Sequence, residues 1–154
     1  MKTRKVLALL VASLAVSALS FGADAFFGTW KLNESKSQIA QGAPKNNTVV
    51  YAAAGKGITV SVDGVDASGN PIHNEWTGKF DGSDYLVTGD PNSDFRSYKK
   101  IDDHTLMFTS LKGGKVVVSG RVVISPDGRT RTVTTKGIDA QGNKFESTAV
   151  YDRQ

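Results

Sequence analysis

His73 and Glu75 stand two residues apart in PIHNEWTG, the spacing at which two side chains leave the same face of a β-strand, and such a pair could hold a metal or move a proton. A third ligand is missing. The alternation around the pair, with Ile72, Trp76 and Phe80 on the opposite face, assigns His73 and Glu75 to solvent. His104 falls in IDDHT beside Asp102 and Asp103, the composition of a surface turn. Residues 81–94, DGSDYLVTGDPNSD, carry four aspartates that could offer oxygens to calcium, but aspartates at such positions also bind their own turn backbone, and both readings stay open. There is no cysteine, no G-x-S-x-G, no phosphate loop, no H-E-x-x-H and no EF-hand loop. The nearest general acids or bases, Glu34, His73 and Glu75, are not expected to face an interior, so no catalytic residue, metal ligand or cofactor is assigned, and an enzyme is only the third reading.

The elements that would position these residues are strands. MKTRK, an apolar run VLALLVASLAVSAL and the A-x-A site Ala23-Asp24-Ala25 form a secretory signal, with cleavage expected after Ala25 and a cut after Gly22 as the alternative. The apolar run is shorter than the roughly 20 residues of a spanning helix, so export to the periplasm or outside the cell is expected, without membrane insertion. Removing residues 1–25 takes away Lys2, Arg4, Lys5 and Asp24, which brings the formal charge of +4 nearer neutrality. The remaining Lys and Arg are interspersed with Asp and Glu, and nucleic acid is not an expected partner. Residues 26–154 have the length of one domain, held by core burial because no disulfide can form.

Within that domain, short alternating segments are separated by Gly, Asp, Asn and Pro at about ten-residue spacing, a pattern that predicts strands. Ten are predicted: 26–33, 47–54, 58–65, 72–80, 84–89, 94–101, 105–112, 115–125, 130–138 and 144–153. The facing of 47–54 and 105–112 is ambiguous. Nearly all links are of hairpin length, so consecutive strands should pair. One link, ESKSQIAQGAPKN, is long enough for a helical turn or two over Ser35 to Gln41. GVDASGN at 64–70 and GIDAQGN at 137–143 echo one another, which reads as one favourable turn used twice rather than as a repeat architecture.

An open meander would leave its first and last strands with unpaired edges, and closure removes both. The expected fold is therefore all-β, an antiparallel up-and-down meander of about ten strands closed into a barrel, with a β-sandwich as the alternative. Gly28, Thr29 and Trp30 form a G-x-W near the start of the domain, and Arg153 lies in AVYDRQ at its end. In these features the chain resembles the calycin superfamily of lipocalins and fatty-acid-binding proteins. The resemblance implies that Trp30 closes one end of the barrel, that Arg153 lies across its indole, and that Gly28 belongs to the same structural site. The middle of the chain has no TDY motif, and the long link is too short for a paired-helix lid.

Trp76, Phe80, Phe95, Phe108, Phe145 and Tyr151 are the residues expected to line an interior, with Gly78, Ser97, Gly120, Ser147 and Ala149 leaving room among them. The first functional expectation is an exported monomer that binds a small apolar or amphipathic molecule. The second is a filled barrel that serves as a structural or interaction protein of the cell envelope.

Overall fold

The structure, a computed structural model, describes residues 25–139 and 141–154. Residues 1–24 of the expected export signal lie outside that range. The chain forms β1 (Gly28–Leu32), β2 (Lys45–Ala54), β3 (Gly57–Val65), β4 (Pro71–Gly78), β5 (Asp81–Thr88), β6 (Phe95–Asp102), β7 (Thr105–Lys112), β8 (Lys115–Ile124), β9 (Thr130–Ile138) and β10 (Lys144–Arg153). Each strand pairs antiparallel with its neighbours in sequence, and β1 also pairs with β10, so the meander closes into a ten-strand barrel.

Alternation decides what points inward. Ile58, Val60 and Val62 of β3 are buried, and so are Asn74 and Trp76 of β4, while His73, Glu75 and Thr77 between them are exposed. The two ambiguous strands resolve the same way: Val49 and Tyr51 of β2 and Leu106, Phe108 and Ser110 of β7 face in, leaving Met107 outside.

The links after β1, β3, β5, β7 and β9 crowd one end of the barrel, and those after β2, β4, β6 and β8, with both termini of the domain, crowd the other. The predicted helix in the long link is reduced to a 3-10 turn over Glu34–Lys36, capped by the Asn33 side chain. Beyond it Gln38 instead pairs with Thr148 of β10, exchanging backbone hydrogen bonds of 2.7 and 2.8 Å that a helix would have denied it. The weakest seam lies between β4 and β5, where register pairing is confined to Glu75↔Thr88 and Trp76↔Val87.

The two echoing turns share the same aspartate-to-backbone hydrogen bonds. Asp66 Oδ1 accepts from the Ser68 and Asn70 amides, and Asp139 Oδ1 accepts from those of Gln141 and Asn143. These bonds favour the ionised carboxylate: the Asn70 side chain and amide hold Asp66 below the ordinary 3.8, and the Asn143 amide does the same for Asp139. Asp127 is lowered chiefly by the Ser125 hydroxyl, and Asp102 by the His104 amide. Because these folded-state values are depressed, the unfolded chain binds more protons below about pH 4, and the stabilisation is lost as pH falls through the folded values. Urea midpoints should therefore rise with pH below about 4 and be flat with respect to these groups above it; a midpoint independent of pH over about 2 to 4 contradicts the assignment.

Candidate functional site

The barrel has one end closed by stacking and another that retains space. At the closed end Trp30 is fully buried, and its indole N–H donates to the Phe26 carbonyl at 2.9 Å. Trp30 of β1 pairs in register with Arg153 of β10, and the Arg153 guanidinium carbon lies 4.3 Å from the indole centroid. The same guanidinium donates to three carbonyls, those of Gly128, Phe27 and Ala25, at 2.6, 2.5 and 2.6 Å. Gly28 makes this possible. Its φ of +118° is a conformation that side chains disfavour, and a Cβ there would lie 2.9 Å from Arg153 Nη1.

Above this plug an aromatic column crosses the interior. The Trp76 and Tyr98 rings stack at 5.0 Å, Tyr98 and Phe108 at 5.1 Å, and Tyr85 covers the far face of Trp76 at 6.2 Å. Phe80 packs on Phe26, Tyr51 and Tyr98 and fills the space between plug and column. A cavity of about 140 Å³ remains toward the opposite end, roofed by Ile39, Ala43 and Pro44 of the long link.

The expected lining residues divide three ways. Phe108, Phe145 and Tyr151 line the cavity, and so do Ser147 and Ala149. Trp76 and Phe80 belong to the packed floor beneath it. Phe95 is on the outside, 40% exposed, which corrects the inward expectation. The cause is the facing of β6: Tyr98 finds a place between Trp76 and Phe108, Arg96 finds Asp90 at 2.7 Å, and the odd-numbered residues must then point out. Ser97 goes out with Phe95 and bonds the Gly82 carbonyl. Of the glycines expected to leave room, Gly120 and Gly78 do not, because the Phe108 and Tyr85 rings lie against them.

The interior holds polar groups that the aromatic pattern did not indicate. Arg131 of β9 is 4% exposed; its Nη2 donates to the Tyr51 hydroxyl at 3.0 Å, and its guanidinium carbon lies 4.7 Å from the Tyr151 centroid and 5.4 Å from that of Tyr51. Its Nε and Nη1 meet no acceptor, and Asn74 Oδ1 meets no donor. Both residues line the cavity, as do Arg96 and Asp90. Asp90 Oδ2 also accepts from Ser93 Oγ at 2.6 Å. Burial, then the nearby Tyr51, pushes the Tyr98 phenol far above its ordinary value, and burial also raises Tyr151. Burial opposes the charge on Arg131, but Tyr51, Tyr151 and Tyr98 more than offset it and hold its pKa above the ordinary value. Tyr98 and Tyr151 are therefore neutral near pH 7, and Arg131 is charged. Period-two alternation through Arg131 and Val133 of β9 was the available sign of an inward arginine.

The residues that first suggested chemistry lie elsewhere. His73 Nδ1 contacts Asp63 Oδ1 at 2.7 Å on the outer surface, and Glu34 and Glu75 are exposed. In the 81–94 stretch, Asp81 is bonded by Tyr85, Asp90 by Arg96 and Ser93, and Asp94 by Lys112 and the Gly113 amide. Among the described residues no three His, Cys, Asp or Glu side chains gather as a metal would require. No protein-family model matches the chain, and no match to a curated protein was found.

Trp30→Ala should cost about 3 to 5 kcal/mol in chemical denaturation, and His73→Ala well under about 1 kcal/mol, since an exposed pair contributes little. Equal losses at the two positions contradict this reading. Arg153→Lys keeps the charge but cannot serve three carbonyls and an indole at once, and a loss of about 2 kcal/mol is expected.

Proposed function

We propose that this protein is an exported, calycin-like barrel that holds a small apolar or amphipathic molecule in its interior. The observation that carries the reading is the unequal filling of the barrel. Aromatic rings and the Trp30–Arg153 plug occupy one half, whereas a cavity of about 140 Å³ persists in the other beneath the long link between β1 and β2. A cavity of this order suits an occupant of about one ring, since an apolar engineered cavity of about 150 Å³ takes up benzene. Thermal unfolding with a panel of small aromatic compounds, neutral and anionic, phenol, indole and benzoate among them, provides the test. Saturable increases in Tm are expected for some members, and no increase for any overturns the reading.

The clamp also bears on export. Arg153 Nη2 takes the Ala25 carbonyl, which a cut after Ala25 removes, so this contact supports processing after Gly22 instead. Intact mass of the exported protein should show Ala23 as its first residue; a chain beginning at Phe26 contradicts that cut.

A second reading, an interaction protein of the cell envelope, draws on a separate observation. Leu86, Phe95, Leu111 and Val116 are register partners across β5, β6, β7 and β8. Leu86 and Val116, at the ends of this outer row, are more than half exposed. Sedimentation of the wild type beside Leu86→Glu separates the cases: a monomer in both favours the ligand-holding reading, and an assembly dissolved by the substitution favours the second.

A further inference from the structure

We infer that the occupant of the barrel is a compact carboxylic acid that seats its anionic group on Arg131 and turns a hydroxyl toward Asn74. The inference rests on the binding reading above and specifies the ligand class for that cavity.

Charge supplies the first part of the argument. Three charged side chains line the cavity: Arg96, Asp90 and Arg131. Arg96 and Asp90 neutralise each other at 2.7 Å, and Ser93 Oγ and the Asn92 amide further occupy the carboxylate of Asp90. Arg131 has no carboxylate partner among the described residues. Its Nη2 donates to the Tyr51 hydroxyl, and two of its nitrogens have no acceptor. A buried cation with unused donors is costly to keep, and an anion supplied from outside satisfies it. The guanidinium is also held in place, with the Tyr51 and Tyr151 rings nearby, so little ordering remains when an anion arrives. A carboxylate matches its planar donors better than a spherical ion does.

Position supplies the second part. In the closed order of ten strands, β9 and β4 are five strands apart in either direction, so Arg131 and Asn74 stand on opposite walls. Asn74 is 2% exposed and its Oδ1 is unpaired. A hydroxyl both gives and accepts, and therefore suits the amide whichever way it is turned. Phe108, Val118, Val133 and Phe145 give the cavity an apolar portion for a ring, beside the small polar Ser110 and Ser147. Size is the third constraint: about 140 Å³ admits one ring or a short branched chain and excludes a long fatty acid. A hydroxyaryl or short hydroxyalkyl carboxylate meets all three conditions.

The test is calorimetric titration of the full exported chain with 4-hydroxybenzoate, benzoate, 4-hydroxybenzyl alcohol and hexadecanoate. The expected result is binding of 4-hydroxybenzoate at least about tenfold tighter than of the neutral alcohol. Arg131→Met should abolish that preference, and Asn74→Leu should remove the advantage of 4-hydroxybenzoate over benzoate. The acid and alcohol are compared on the wild type, so the result stands even if a variant fails to fold. Equal affinity for acid and alcohol overturns the inference and leaves the binding reading intact. Binding of hexadecanoate in preference to 4-hydroxybenzoate overturns the size argument. Failure of these probes and of phenol and indole alike removes the binding reading itself.

Discussion

The meeting of Arg153 with Trp30 is the constraint on which the rest of the molecule depends. It joins the last strand to the first at the point where the sheet must close, and one guanidinium satisfies three carbonyls from two separate segments while covering an indole. Without that junction β1 and β10 would each present an unpaired edge. The barrel closes because two ends of the chain carry residues that are costly to leave apart: an indole needing burial and a cation needing acceptors.

Closure sets where the interior can be full and where it can be empty. A sheet of ten strands encloses more space than aliphatic side chains alone readily fill, and here rings take up much of the excess. Phe108 lies on Gly120 and Phe145 on Gly137, each across a register pair, so the missing side chain on one strand is replaced by an aromatic from its neighbour. Phe108 ends the aromatic column, and Phe145 stands in the lining of the cavity. Toward the other end the lining is smaller, with Ser147 and Ala149, and the long link supplies a roof.

That remaining space is unusual in its polarity. An apolar cavity stays dry and needs no partner, but one that contains a charged guanidinium and an amide with unused bonding capacity has unmet demand. The fold tolerates Arg131 through the Tyr51 hydroxyl and the two flanking rings, which moderate the cost without neutralising the charge. Stability comes from the plug and the aromatic floor, and the chemistry that could select a partner lies above them.

The number of strands, their order and the closed barrel were legible in the sequence, because period-two alternation, tight-turn residues at regular intervals and the need to remove two edges are all local or topological facts. The pairing of Trp30 with Arg153 was legible only through the resemblance of the G-x-W and the late arginine to the calycin pattern. The facing of β6 was not. FRSYKKI carries an aromatic on each face, and only the stacking of Tyr98 between Trp76 and Phe108, with Asp90 waiting for Arg96, turns Phe95 outward. Nor could the sequence show that Arg131 and Asn74 confront one another across the interior, or that rings would fill the space beside Gly78 and Gly120 while leaving it beside Ser147. Alternation assigns a side chain to a face, but which side chains then meet, and how much room they leave, is decided by contacts between strands far apart in the chain.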